Sequence, residues 1–416
     1  MQVGQLLGET PGPAGVPGSA VPAAPSAPHG PAIPLRPLGP GRTGRLADPT
    51  APSAPGQPVR PAEQHLDRWL ADVRHRVAGV LGAFVRDRCA EHVHDVPGAR
   101  FVTDLLGEFV AGGKFVRSTF TYLGWLSGAG ASEAARRAAA STELLHAFAL
   151  LQDDVMDRSG LRRGRPAVHR RLADWHRAQG LTGPADHFGE SAAILLSDLC
   201  LVWAEQLLRD SGLPAPALAR GWPRYDTLRG ELAVGQFADL VNDARSSPTL
   251  NEVLDVTRRK SGNYTVRRPL ELGAALAGCD EYVLAVLGEY GELVGEAFQL
   301  RDDVLGVFGR PSVTGKPSGG DLRERKATSV VVLAGEMATP RQREALARLS
   351  GRESLDDGHV DQWRQLIAET GAAARIEQMI SSRVAAACDR LAGSGLNDFV
   401  LSALQDLAIR YTDRAR

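Results

Sequence analysis

At 416 residues the chain is long enough for one large domain or two smaller ones, and 43% apolar residues can build a substantial core. A net charge of −1 leaves no basic footprint of the kind nucleic acid demands. The four cysteines, Cys89, Cys200, Cys279 and Cys388, are scattered and form no CxxC pair, which argues against a disulfide framework or zinc site and suits a reducing cytoplasm.

Residues 1–61 are dominated by Pro, Ala, Gly and Ser. Such a segment has little to bury and many prolines that forbid helix, so it is expected to be a disordered tail. No basic stretch leads into an apolar one there, so no secretory signal is expected. No run approaches the roughly 18 apolar residues of a membrane span, so none is expected.

From residue 62 the pattern turns helical. Leu66, Trp69, Leu70, Val73, Val77 and Leu81 recur at three- and four-residue spacings. The same period predicts helices over 133–158, 191–211, 227–243, 281–305, 328–349, 360–392 and 397–415. Gly/Pro-rich breaks near 111–113, 159–166, 180–185, 212–223 and 311–320 separate them. No sustained strand-type alternation and no internal repeat occurs, so residues 62–416 are predicted to be all-α around one large core.

Two helix ends carry unusual charge. In LLQDDVMDRSGLRRGRP, Asp153 and Asp157 are four apart and share a face, with Asp154 turned by about 100°. Such carboxylates repel one another and need a cation. A hard ion fits, Mg²⁺ above all, since it takes one or two carboxylates and completes its shell with water and phosphate. Arg162 and Arg163 follow in a Gly-flanked loop, and arginine's planar fork suits phosphate oxygens. The bland alternative is a solvated acidic helix end. GEAFQLRDDVLGVFG repeats the design with Gln299, Asp302 and Asp303, but has Gly306 where a third carboxylate would stand. Two such clusters can face each other across a helical bundle.

More basic stations fit the same ligand. AGGKFVRS places Lys114 and Arg117 after a Gly-Gly; RRKSGNY supplies Lys260 and Ser261; TGKPSGGDLRERKAT brings Lys316, Asp321 and Lys326. There are more cations than one diphosphate needs, which implies two.

At these residues the sequence resembles the trans-isoprenyl diphosphate synthases, the polyprenyl synthetase family. The matching motifs are GGKxxR at 112–117, HxxxLxxDDxxD at 146–157, RRGxP at 162–166, GQxxDL at 235–240, KSG at 260–262, FQxxDD at 298–303 and GKxxGxD-x₄-K over 315–326. They come in family order, with features similar to the actinobacterial geranylgeranyl diphosphate synthases. The resemblance implies a single helical bundle with a central active-site cavity, a homodimer, a cytoplasmic location, and three Mg²⁺ ions per site. It implies a metal set of Asp153, Asp157 and Asp302, with Asp154 and Asp303 in support. Arg162, Lys260, Ser261, Gln299, Lys316 and Lys326 would hold the allylic diphosphate. Lys114, Arg117, His146 and Arg163 would hold isopentenyl diphosphate, and Gln236 and Asp239 would line the reaction centre.

The implied reaction is ionisation, condensation and elimination, catalysed chiefly by Asp153, Asp157, Asp302, Lys260 and Lys316. In the family, aromatic residues at the fourth and fifth positions before the first aspartate shorten the product. Here Ala149 is small and Phe148 bulky, with Leu145 and Thr142 deeper on the helix, a pattern that implies a C20 product; farnesyl and longer chains are the alternatives. A class I terpene cyclase would share the fold and one acidic motif, but needs no second diphosphate pocket. A non-catalytic partner subunit would tend to lose the acidic motifs, and a mere diphosphate-binding module leaves the carboxylates unexplained.

Overall fold

The computed structural model describes residues 61–243, 248–309 and 319–413. The expected tail of residues 1–61 lies outside them, save Pro61, which opens the first helix. The fold is all-α, as expected, with one small hairpin among the described residues.

Helix α1 (Pro61–His92) buries the expected stripe, Leu66, Leu70, Val73, Val77 and Leu81, and extends it through Val85 and Cys89. Trp69, at the edge of that stripe, stacks on Tyr122 with ring centroids 6.2 Å apart. The chain continues through α2 (Ala99–Ala111), α3 (Val116–Leu126) and α4 (Glu133–Met156), the last capped by the Ser132 side chain, which accepts from the Ala135 amide. After the hairpin come α5 (Val168–Ala178), α6 (Ala185–Arg209), α7 (Ala215–Asp243) and α8 (Leu250–Thr257). A ten-residue π-helix, Arg258–Arg267, runs directly into α9 (Arg268–Ala277). Helix α10 (Glu281–Phe308) is followed by α11 (Gly320–Arg323), α12 (Ser329–Met337), α13 (Pro340–Ser350), α14 (Asp357–Glu369), α15 (Ala372–Leu391) and α16 (Asp398–Thr412).

Three predicted elements differ. The span 328–349 is two helices, because Thr339 caps a new one whose first residue is Pro340; a proline at that position starts a helix without costing a hydrogen bond. The span 360–392 also divides, at Gly371, whose φ of 82° ends the helical path. Conversely, the break expected over 212–223 is mostly helix: α7 runs through Pro223, held by the buried Tyr225 and Leu228 just beyond it.

The single expected core is three joined clusters. One is built chiefly by α1, α2, α4, α6 and α7; a second by α3, α9, α10 and α16; a third by the end of α10 with α11–α15. Trp69 and Leu126 touch both the first and second, so the clusters are continuous. By length and composition alone, α6 contains an 18-residue stretch apolar enough to cross a membrane, with a mean hydropathy of 1.5 over that stretch. It packs against α4 and α5, burying Leu196, Cys200, Trp203 and Leu207, which is how a core helix passes that test. No other described helix passes it.

Candidate active site

The C-terminal turn of α4 is the electrostatic focus. Negative side chains at a helix C-terminus oppose the helix dipole, so this end needs positive partners. They are present. Lys260 Nζ lies 3.2 Å from Asp153 Oδ1, and Lys326 Nζ lies 2.8 Å from Asp157 Oδ2. Arg162 Nε donates to Asp154 Oδ1 at 2.9 Å, and its Nη2 reaches Asp153 Oδ2 at 3.2 Å. Lys260 also donates to Asp239 at 2.5 Å, which brings two of the expected positions together. Burial pushes the Asp153 carboxyl up, but Lys260, Arg162 and Lys326 outweigh it and hold the group below its ordinary range. For Lys260 burial disfavours the charge, yet Asp153 and Asp239 raise its pKa overall.

Arg162 and Arg163 are delivered by a hairpin, Leu161–Arg162 paired antiparallel with Arg165–Pro166. The two linking residues, Arg163 (φ 54°) and Gly164 (φ 74°), are both left-handed, as the tight two-residue hairpin turn requires. A non-glycine residue in that region is costly. Arg163 Nη1 donates to the Phe109 carbonyl at 3.0 Å, and its guanidinium lies against Gly112 and Gly113, where a β-carbon would crowd it. A cleft of about 390 Å³ opens there, lined by Phe109, Gly112, Arg162, Arg163, Arg165 and Arg171.

His146 lies close enough to this group to feel it. Burial, then Arg117, Arg163 and Arg162, push its pKa far below the ordinary value, so the ring is neutral at pH 7. Its Nδ1 is buried without a hydrogen-bond partner. Arg117 lies over the Tyr264 ring at 4.3 Å and donates to Thr265 Oγ1 at 3.0 Å, while its Nε is buried without a partner. Orphaned donors beside a basic cleft suit an anion. Lys114 is exposed in the segment just before α3.

The second acidic motif is joined to the first through α12. Asp303 accepts from the Ser329 amide at 3.0 Å and the Ser329 hydroxyl at 2.6 Å, and Gln299 donates to its other oxygen at 3.0 Å. Ser329 and Lys326 are three residues apart, so their Cα atoms lie within about 11 Å. One short segment therefore bonds Asp157 at one end and Asp303 at the other, which brings the two motifs together. Asp302 is half-buried beside Asp303. Ser261 is half-buried next to Lys260, and the Gln236 side chain lies 3.6 Å from the Met156 sulfur. Lys316 lies outside the described residues.

Asp154 and Asp303 differ from the other aspartates. Both are buried and tied to protein donors, which suits supporting positions rather than direct ligation. Among the described residues no three His, Cys, Asp or Glu side chains converge to cage a metal alone. That fits Mg²⁺ held by one or two carboxylates with diphosphate oxygens completing the shell.

Lys260 is positioned by the π-helix, a form that clusters at functional sites. A β-carbon at Gly235 of α7 would lie 2.7 Å from the Lys260 nitrogen, so only glycine allows this approach. On the other side, Gly295 of α10 meets the backbone of Gly262. Glu143 was not anticipated. It accepts from the Ser118 amide at 2.8 Å and hydroxyl at 2.9 Å, fixing the first turn of α3, and with it Arg117, to α4. A lone glutamate inside an apolar helix stretch was the available signal. Of the chain-length positions, Leu145 and Thr142 are fully buried and Phe148 and Ala149 half-buried on α4; the Thr142 hydroxyl donates to the Ala139 carbonyl.

The family model for polyprenyl synthetase matches residues 100–367. The (2E,6E)-farnesyl diphosphate synthase of Mycobacterium tuberculosis is 33% identical over 306 residues, covering 73% of this chain and 80% of that one. The geranylgeranyl diphosphate synthase of the same organism is 32% identical over 276 residues, 66% of this chain and 73% of that one. The crystal structure of geranylgeranyl pyrophosphate synthase from Corynebacterium glutamicum, complexed with isoprenyl diphosphate and magnesium, superposes with a TM-score of 0.78 at 36% identity, covering 84% of this chain and 99% of that one. The motifs in family order, the joined acidic helix ends and these relatives agree: the chain belongs to the polyprenyl synthetase family and is a magnesium-dependent, chain-elongating prenyltransferase.

Proposed function

We propose that the protein condenses isopentenyl diphosphate with an allylic diphosphate to give geranylgeranyl diphosphate, using three Mg²⁺ ions per site. The observation that carries the reading is the set of ion pairs from Lys260, Lys326 and Arg162 to the carboxylates of the first motif. Each pair is exchangeable: with substrate bound, the carboxylate would hold metal and the cation a phosphate oxygen. Asp153 and Asp157 would face Asp302 across the allylic diphosphate, with Lys316 joining Lys260 and Lys326. Ser261 and Gln299 would lie beside them.

Magnesium, when bound, supplies positive charge that stabilises the departing pyrophosphate. Lys260 and Lys326 add fixed charge on the same leaving group, in place before the reaction begins. Lys114, Arg117 and Arg163 would hold isopentenyl diphosphate, with neutral His146 donating a hydrogen bond. The double bond of the donor attacks the allylic cation, and a proton is lost. His146, kept neutral by burial and by three arginines and committed to phosphate, is a poor base; the released pyrophosphate takes that proton.

Product length is assigned from α4. Ala149 is small and one turn before Asp153, so a chain can pass it towards Leu145 and Thr142. Phe148 favours a second reading, a farnesyl product, and the two M. tuberculosis relatives are almost equally similar. Mass spectrometry of the product formed from farnesyl and isopentenyl diphosphates with Mg²⁺ decides: a C20 diphosphate is expected, and none would refute the assignment. Ala149→Phe is expected to shift the product towards C15.

A cytoplasmic homodimer is proposed. The reduced cysteines suit that compartment, and α6 exposes Leu195 and Val202, which are 66% and 61% accessible, on the side away from α4 and α5. Bulky apolar residues left open on one helix are ready to meet a second copy.

A further inference from the structure

Arg258 and Arg267 are the first and last residues of the ten-residue π-helix. One carboxylate reaches both. Glu292 Oε2 accepts from Arg267 Nη1 at 2.5 Å, and Glu292 Oε1 lies 3.5 Å from Arg258 Nε. An α-helix advances about 100° per residue, so the step from 258 to 267 would make two and a half turns and leave the two arginines on opposite faces. Bonding each amide to the carbonyl five residues back widens the turn to about 4.4 residues, and the same step then closes two full turns. The Arg268 amide, which donates to the Asn263 carbonyl, is bonded in that way. Only the wider register puts Arg258 and Arg267 on one face, and Glu292 joins them there.

The other face follows from the same arithmetic. Tyr264 and Thr265 come four and five positions after Lys260, so in the π register both stand within about 50° of it. In an α-helix Thr265 would be turned about 140° away. Lys260 meets Asp153 and Asp239, while Tyr264 lies under the Arg117 guanidinium and Thr265 accepts a hydrogen bond from it. One face of the π-helix thus serves both groups of cations. Glycines on α10 bring Glu292 close enough to act. A β-carbon at Gly291 would collide with the Arg267 main chain and one at Gly295 with that of Gly262, so α10 lies directly on the π-helix. Glu296, one turn after Glu292, accepts from Arg258 at 2.6 Å and from Arg383 of α15 at 2.6 Å.

We propose that Glu292 is a positioning residue for diphosphate capture: by linking Arg258 to Arg267 it holds the segment in the π register and thereby aims Lys260. It acts through the backbone and not on substrate. This rests on the reading of Lys260 as a diphosphate-binding residue. Glu292 is 35% exposed, so its two ion pairs add little to the stability of the whole fold. Their effect falls on a choice between two registers of one segment, where a small difference decides.

The test is calorimetric binding of inorganic pyrophosphate to the full chain at saturating Mg²⁺, with no prenyl substrate, beside hydrogen exchange of the amides of residues 258–267. Glu292→Leu is expected to weaken pyrophosphate about fivefold, the scale that two partly exposed ion pairs can set, and to speed exchange across the π-helix. Glu292→Asp, which keeps the charge, should recover most of the affinity. Arg267→Met should weaken binding similarly, and the double variant with Glu292→Leu no further, because both break one link. Glu289→Gln breaks another α10 ion pair, to Arg390, and should leave binding and exchange as in the wild type. The melting temperature of Glu292→Leu should fall no further than that of Glu289→Gln. Unchanged affinity in Glu292→Leu, with Lys260→Ala impaired, overturns the positioning role alone. Weaker binding without faster exchange overturns it too, since the register would then be intact. If Lys260→Ala binds pyrophosphate as the wild type does, the reading of Lys260 itself falls.

Discussion

The two aspartate-rich helix ends look alike in sequence and are stabilised by opposite means. At the end of α4, three aspartates are met by charge: Arg162, Lys260 and Lys326. Near the end of α10, Asp303 is met by neutral donors, the Ser329 amide and hydroxyl and the Gln299 amide. The consequence shows in their acidities. Asp153 is held below the ordinary carboxylate range, whereas burial pushes Asp303 above it against the pull of those hydrogen bonds. Carboxylates paired with lysine side chains can change partner; one fastened by a backbone amide cannot do so cheaply. On the proposed reading the first cluster exchanges its partners with a ligand, whereas the bonds of Asp303 fasten α12 in place.

Asp153→Ala should break the comparison most severely. Loss of kcat on the order of 10²–10³ is expected, as for removal of one electrostatic contact to a transition state, with the fold intact by circular dichroism. Arg162→Met comes next, and its effect is on stability. It strips the partner from Asp154, which is 1% exposed, and breaking a buried pair from one side costs about 3 kcal/mol, read from urea unfolding. Asp303→Ala should cost less, about 1–3 kcal/mol, by leaving the Ser329 amide unpaired. If Asp303→Ala instead left stability untouched and abolished turnover, the contrast drawn between the clusters would be wrong.

The smallest effect is a difference in pH dependence of the chelator-treated protein. Asp153, depressed on folding, contributes stability above the unfolded value of about 3.9 that is lost as pH falls through its folded value. Asp303, raised on folding, works the other way: stability drops as pH climbs from the unfolded value through its folded one. Urea midpoints across the acid range should therefore rise less steeply with pH in Asp153→Asn and more steeply in Asp303→Asn.

Much of this was legible beforehand because the signals were local. The stripe from Leu66 to Leu81 repeats at helical spacing, and Asp153 and Asp157 share a face by that spacing alone. The meeting of Lys260 with Asp153 and Lys326 with Asp157 followed only through motif resemblance, since both contacts join residues far apart in the chain. Other features had no local trace. A π-helix differs from an α-helix in which carbonyl each amide finds, and the side-chain pattern of RRKSGNYTVR does not record that choice. The division of 328–349 was written in Thr339-Pro340, but a continuous apolar period on both sides concealed it. The tie from Glu143 to Ser118 depends on the packing of α3 on α4, which no spacing announces.

The backbone meetings at Gly235 and Gly295 carry a consequence for how this lysine can be altered. The main chain from Lys260 to Gly262 is gripped between α7 and α10 with only hydrogen atoms as spacers, a joint with no play. Exchanging Lys260 for arginine changes the tool and leaves the vice untouched; adding one methyl to either glycine moves the vice itself. Alanine at those two remote-looking sites should therefore spoil pyrophosphate capture more than conservative changes to the side chains around it.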